Sequence, residues 1–237
     1  MRKNILLIQF RKNNKIARHE KKCILKVIGY KMVNLTCKNL FVDGISLSKK
    51  DLSNIDGIII GGSGDFSFSK KEQHHDLFEI IKKSIPFVKD AIKRNIPILG
   101  ICLGHQYLAY LLGSKVVNDK KQEEFGTFKA SLTTSGKTHP LFRNIPTNFL
   151  VQEGHEDCIK KLAKDITILA KGQRCKIQSF CLGRIFAVQF HPELAAKKDM
   201  IARQNEYAGY KRSFKPAPYS LKVIKNFLDL ILLRSFL

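Results

Sequence analysis

Two short apolar runs, each ending in glycine, set the architecture. Ile55–Ile60 reads IDGIII and runs into Gly61-Gly62-Ser63-Gly64, while Ile96–Ile101 reads IPILGI and runs into Cys102-Leu103-Gly104. Continuous β-branched runs of this length belong to strands covered on both faces, as in a parallel sheet. Helical segments are interleaved with them. Ile16, Cys23, Ile24, Val27 and Ile28 recur at helical spacing, with Gly29 suited to end the helix. A second helix is predicted from about Gln73 to Arg94, broken near Pro86, and a third over Leu103–Leu112, ended by Gly113. Strands are also expected at residues 5–10 and near Met32–Leu35. This alternation predicts a doubly wound α/β sheet, whose sites lie at the carboxyl ends of the strands. Beyond Gly113 the pattern changes to short strands over residues 115–152, with turns at Ser135-Gly136 and near Pro146. Two or three more strands follow over 166–190, and a last helix over Tyr219–Leu233.

The 237 residues suffice for one large domain, and 44% apolar residues supply its core. A chain of this length buries roughly 70–75% of the surface its unfolded form exposes. The formal charge is +22, but the lysines and arginines are spread along the chain, with no basic block and no zinc-finger or RNA-recognition signature. The charge is read as a solvated lysine-rich surface, not as a nucleic-acid footprint. None of the six cysteines forms a C-x-x-C pair, and no histidine has a metal-ligand spacing, so neither a metal nor a cofactor is expected. The N-terminal apolar run is too short for a signal peptide, and no stretch reaches the ~18 apolar residues of a membrane span. A soluble cytoplasmic chain is expected.

The chemistry points to Gly100-Ile101-Cys102-Leu103-Gly104, between a predicted strand and a predicted helix. A nucleophile there sits on a sharp turn, and the glycines on either side relieve crowding. The following helix places its positive end near the sulfur, and the Leu103 amide can point at a developing oxyanion. Taken alone, the motif also fits a buried core cysteine. His191-Pro192-Glu193, after the predicted strand Phe186–Phe190, offers a base and an orienting carboxylate; alone it also fits a strand-end turn. The glycines from Gly61 onward are either a turn or a close backbone approach to substrate.

Together GICLGHQ and AVQFHPE resemble the class I (triad) glutamine amidotransferases, most closely the glutaminase domains of GMP synthases and their stand-alone relatives. The resemblance covers about residues 3–196 and includes IIIGGSGD and EFGTFKASLT. It implies a flavodoxin-like class I glutaminase fold: a doubly wound, mixed, mostly parallel sheet with helices on both faces. Residues 1–196 are then the amidotransferase domain, and 197–237 an extension whose final helix packs on it. By this resemblance Cys102 attacks the glutamine amide, His191 is general base and then acid, and Glu193 orients it. Gly62 and Leu103 supply the oxyanion hole, and Gln106 helps hold the substrate. His155, in the stretch Val151–Asp157, is structural or substrate-adjacent. Many members carry Gly-Gly-Pro where this chain has Gly62-Ser63. No synthetase domain follows, so a separate ammonia-accepting synthetase subunit is the expected partner. A stand-alone γ-glutamyl peptide hydrolase or transferase is the alternative. A non-catalytic binding protein is a third reading, against which the intact triad speaks.

Overall fold

A computed structural model describes residues 2–29, 33–44, 47–48, 50–194, 196, 199 and 214–232. Five parallel strands form one half of a nine-stranded sheet: β1 (Lys3–Gln9), β2 (Val33–Asn39), β3 (Gly57–Ile60), β4 (Ile98–Ile101) and β11 (Ile185–Val188). Four antiparallel strands extend it: β6 (Glu124–Leu132), β7 (Asn148–His155), β9 (Thr167–Gly172) and β10 (Ser179–Leu182). The order across the sheet is β2-β1-β3-β4-β11-β10-β9-β6-β7. A separate ribbon pairs β5 (Lys115–Asn118) with β8 (Asp157–Lys161).

Four of the five parallel strands, β1, β3, β4 and β11, are apolar on both faces because both are covered, whereas the edge strand β2 is polar and partly exposed. Ile5, Leu7, Ile59 and Leu99 point into one core, where α1 (Asn14–Ile28) contributes Ile24 and the last helix, α5 (Lys222–Leu232), contributes Ile224 and Phe227. Leu6, Ile8, Ile58 and Ile98 point into the other, filled by Leu77 and Ile81 of α2 (His75–Lys93) and by Tyr107 and Leu108 of α3 (Leu103–Leu111). The two-residue period of a strand thus sorts one run of sequence into two cores. The expectation of a mixed, mostly parallel sheet with helices on both faces holds, with five of nine strands parallel. Residues 200–213 and 233–237, within the predicted C-terminal extension, lie outside the described residues, as do Met32 and Leu233 at the bounds of predicted elements.

Two local predictions differ from the structure. Helix α2 runs unbroken through Pro86. Pro86 is exposed while Phe87 and Val88 are buried, so the Lys82 carbonyl that loses its donor faces water and the buried face holds the helix. At Ser135-Gly136 the expected turn is a short helix, α4 (Thr134–Thr138), whose Gly136 amide is capped by the Thr133 hydroxyl at 3.0 Å.

Candidate active site

The turn from β4 into α3 is a strained elbow. Cys102 has φ 52 and ψ −102, and its amide donates to Val188 O of β11 at 2.9 Å. Among the described residues, the other non-glycine positions with positive φ are Asn95, Asn144 and Asp165, residue types that tolerate it. A cysteine held there costs about 1–3 kcal/mol and persists only because its surroundings impose it. The two glycines of the motif allow the imposition. A Cβ on Gly104 would stand 2.2 Å from the Ile60 carbonyl oxygen, and one on Gly100 would stand 2.5 Å from the Gly104 carbonyl oxygen. Strand and helix therefore approach more closely than any side chain permits.

His191 follows β11, the parallel neighbour of β4, so Cys102 and His191 hang from adjacent strand ends. The His191 amide donates to Gln152 O of β7 at 2.8 Å, and its Nδ1 donates to Glu193 Oε1 at 2.8 Å. Cys102 is in hydrogen-bond reach of the same ring. All three side chains are buried. Burial disfavours the His191 cation, but the Glu193 carboxylate, followed by the Cys102 sulfur, outweighs it and pushes the His191 pKa up to about 10. The ring is an imidazolium at neutral pH, with a proton to give. None of the six cysteines is in a disulfide, and burial pushes Cys37 and Cys158 up to about 11, so neither offers a thiolate at neutral pH.

A cleft of about 290 Å³ opens above the sulfur, lined by Cys102, Gln106, Phe125, Gly154, His155 and Lys70, among others. Gly154 O stands 4.0 Å from Cys102 Sγ. Gln106 Nε2 donates to Asp157 O at 2.9 Å and to Gln189 Oε1 at 3.2 Å, fixing its side chain on the cleft wall. His155, expected to be structural or substrate-adjacent, is buried in that wall with Nδ1 2.9 Å from Asp157 O. The segment over the cleft is stapled down: the Asp157 carboxylate accepts from the Ser67 hydroxyl at 2.8 Å and from the Ser69 amide at 3.1 Å. At the rim Lys70 pairs with Glu156 at 2.8 Å. These contacts join residues far apart in sequence with no motif to announce them.

The two expected oxyanion donors are not equivalent. Leu103 opens α3 directly beside the sulfur. The Gly62 amide donates to Glu20 Oε1 at 3.3 Å. A Cβ on Gly62 would meet His191 Cε1 at 2.9 Å, so only glycine lets this loop lie against the His191 ring. Glu20 reaches the loop from α1, where it also pairs with Arg11 at 2.7 Å and accepts from Gln9 Nε2 at 2.8 Å. Both partners of this ion pair are 1% exposed. Removing one partner of a buried ion pair is strongly destabilising, by about 3–5 kcal/mol. Glu20→Ala is therefore expected to lose about that much unfolding free energy and to unfold at a lower denaturant midpoint, while the isosteric Glu20→Gln loses less. Equal midpoints for Glu20→Ala and wild type in urea titrations would contradict a stabilising role for the pair.

The family model described as glutamine amidotransferase class-I matches residues 21–205. The chain belongs to the class-I glutamine amidotransferases. It is 32% identical over 150 residues to a subunit of the glutamine-hydrolyzing GMP synthase of Thermoplasma acidophilum, a stretch covering 62% of this chain and 68% of that protein. The corresponding subunit of Methanocaldococcus jannaschii is 32% identical over 143 residues, 60% of this chain and 66% of the relative. Gamma-glutamyl peptidase 3 of Arabidopsis thaliana is 28% identical over 156 residues, 64% of this chain and 60% of the relative. A crystal structure of a glutamine amidotransferase from Thermotoga maritima superposes with a TM-score of 0.75 at 24% identity, covering 99% of this chain and 98% of that one. It establishes the same fold. The family is one of enzymes, and no helix among the described residues of this member is long and apolar enough to cross a membrane.

Proposed function

We propose that this class-I amidotransferase hydrolyses the side-chain amide of glutamine through a γ-glutamyl thioester and releases ammonia for a separate acceptor. The observation that carries the reading is the elbow cysteine beside a histidine already bonded to a carboxylate at 2.8 Å. The Cys102 thiolate attacks the amide carbon, forming the C–S bond and a tetrahedral oxyanion. The Leu103 amide stabilises that oxyanion. Gly62 contributes a second donor once its amide turns from Glu20, a long bond that a full negative charge close by can displace. His191 gives its proton to the leaving nitrogen as the C–N bond breaks, and ammonia departs. The neutral ring then takes a proton from water, whose oxygen attacks the thioester; the C–S bond breaks, returning the Cys102 thiolate and protonated ring, and the acid formed loses its proton to solvent as glutamate. Glu193 keeps the ring in the tautomer these transfers need. Lys70 and Glu156 at the rim carry the charges that suit the α-carboxylate and α-ammonium of the substrate.

The likeness to a plant γ-glutamyl peptidase favours a second reading, in which the same acyl half is cleaved from a γ-glutamyl peptide. Glutamate release from glutamine and from a γ-glutamyl dipeptide, measured in parallel, separates the two. Faster release from glutamine supports the amidotransferase reading, in which the acceptor is a separate synthetase chain, as implied by relatives that are single subunits of a GMP synthase. Faster release from the dipeptide replaces it with the peptidase reading. With hydroxylamine present, either route yields γ-glutamyl hydroxamate, and its absence during turnover rules out the thioester.

A further inference from the structure

Four buried side chains that the proposed mechanism does not use converge behind the cleft wall. Glu124 begins β6 and pairs across the ladder with His155 of β7; Glu153 lies two residues earlier on β7, and Cys175 comes from the connection between β9 and β10. The relative exposures of Glu124, His155, Glu153 and Cys175 are 0, 4, 1 and 0%. A Glu124 carboxylate oxygen, a His155 ring nitrogen and Cys175 Sγ all lie within 4.8 Å of one another.

The tautomer of His155 decides what this cluster wants. Its Nδ1 is 2.9 Å from Asp157 O, and a carbonyl only accepts, so Nδ1 carries the proton. The ring then aims Nε2 into the cluster, where it lies 3.5 Å from Glu153 Oε2 and 3.6 Å from Glu124 Oε2. Nε2 makes no hydrogen bond there, and neither Glu153 oxygen has a hydrogen bond within 3.5 Å. The Gln178 amide, bonded to Glu124 Oε2 at 2.7 Å, and the Cys175 backbone amide, 3.4 Å from Glu124 Oε1, are neutral donors. Two carboxylates crowded around one ring nitrogen in a dry core repel unless something electropositive, a proton on Nε2 or a cation, lies between them. The spacing says what. Two ligand atoms each ~2.1 Å from one ion at a tetrahedral angle stand about 3.4 Å apart. The observed 3.5 and 3.6 Å match that separation and are too long for good hydrogen bonds. A ring whose other nitrogen donates to a backbone carbonyl is also oriented as metal-binding histidines are.

We propose that Glu124, Glu153, His155 and Cys175 form a closed, structural site for a divalent cation of the zinc class. A thiolate and an imidazole beside carboxylates select zinc over magnesium or calcium. Binding releases the Cys175 thiol proton and any proton held between the carboxylates. The ion would fasten β6, β7 and the β9–β10 connection together directly behind Gly154, the residue facing Cys102 Sγ.

The test is metal content. The whole chain is unfolded with chelator, refolded with or without zinc, desalted and assayed by mass spectrometry for bound metal. About one zinc per chain is expected, falling at least ~10-fold in Cys175→Ser and in His155→Gln. Refolding with cobalt should give the near-ultraviolet sulfur-to-cobalt band, which requires a thiolate ligand and so decides the matter on wild type even if the variants fold poorly. Cys23→Ser, in the separate His19–Cys23–Asp199 group, should leave that band unchanged. Wild type with under ~0.1 zinc per chain and no cobalt band overturns the proposal and leaves a proton as the occupant. Zinc retained in full by Cys175→Ser also overturns it.

Discussion

Cys102→Ala is expected to lower kcat by about 10⁶-fold for glutamine and for γ-glutamyl substrates alike, the scale on which a covalent nucleophile is lost. The other five thiols cannot substitute: none of them lines the cleft. His191→Ala should cost a similar factor, and the double variant little more, because residues that act as one unit are not additive. Substrate binding, measured by calorimetry on Cys102→Ala, should persist, since Gln106, Lys70 and the stapled segment over the cleft are untouched. Residual turnover above a tenth of wild type would remove the sulfur from the mechanism.

Glu193→Gln is expected to lower kcat by about 10⁴-fold, the loss that follows when a catalytic imidazole is left without its orienting carboxylate. It should also change a quantity that simple misfolding would not. The His191 pKa stands at about 10 because the Glu193 carboxylate and the Cys102 sulfur outweigh burial. Without that carboxylate the Cys102 sulfur alone opposes burial, so the imidazolium loses its proton at a lower pH. Nitrogen-15 NMR titration of the His191 ring reads this directly: the midpoint should move down from near 10 in wild type. An unmoved midpoint in a folded Glu193→Gln would show that Glu193 does not hold the charge.

The parallel half of the sheet was legible because both its faces are buried, which leaves runs such as IDGIII almost without polar interruption. The elbow was legible because close packing demands glycine at both Gly100 and Gly104. The triad's roles came from the resemblance, and the geometry now brings its members together. What the sequence hid arises where side chains meet across the fold. Glu20 caps the Gly62 amide from a helix face that reads as ordinary amphipathic surface, and Arg11 is buried beside it despite its charge. Asp157 staples Ser67 and Ser69 across some ninety residues. Pro86 misled because the rule for proline omits which side of the helix it occupies. The Glu124, Glu153, His155 and Cys175 cluster escaped a search by spacing because its members come from three separate segments.

Strand β11 arrives late in the chain yet lies at the middle of the sheet, between β4 and β10. Its Val188 carbonyl holds the Cys102 amide, and His191 follows three residues later. During synthesis Cys102 is therefore made long before the strand that anchors its elbow and leads into His191. Such non-local pairing is slow to form. A nascent or truncated chain ending before residue 185 would carry Cys102 without His191, so under the proposed mechanism hydrolysis begins only after the polypeptide has closed its own sheet.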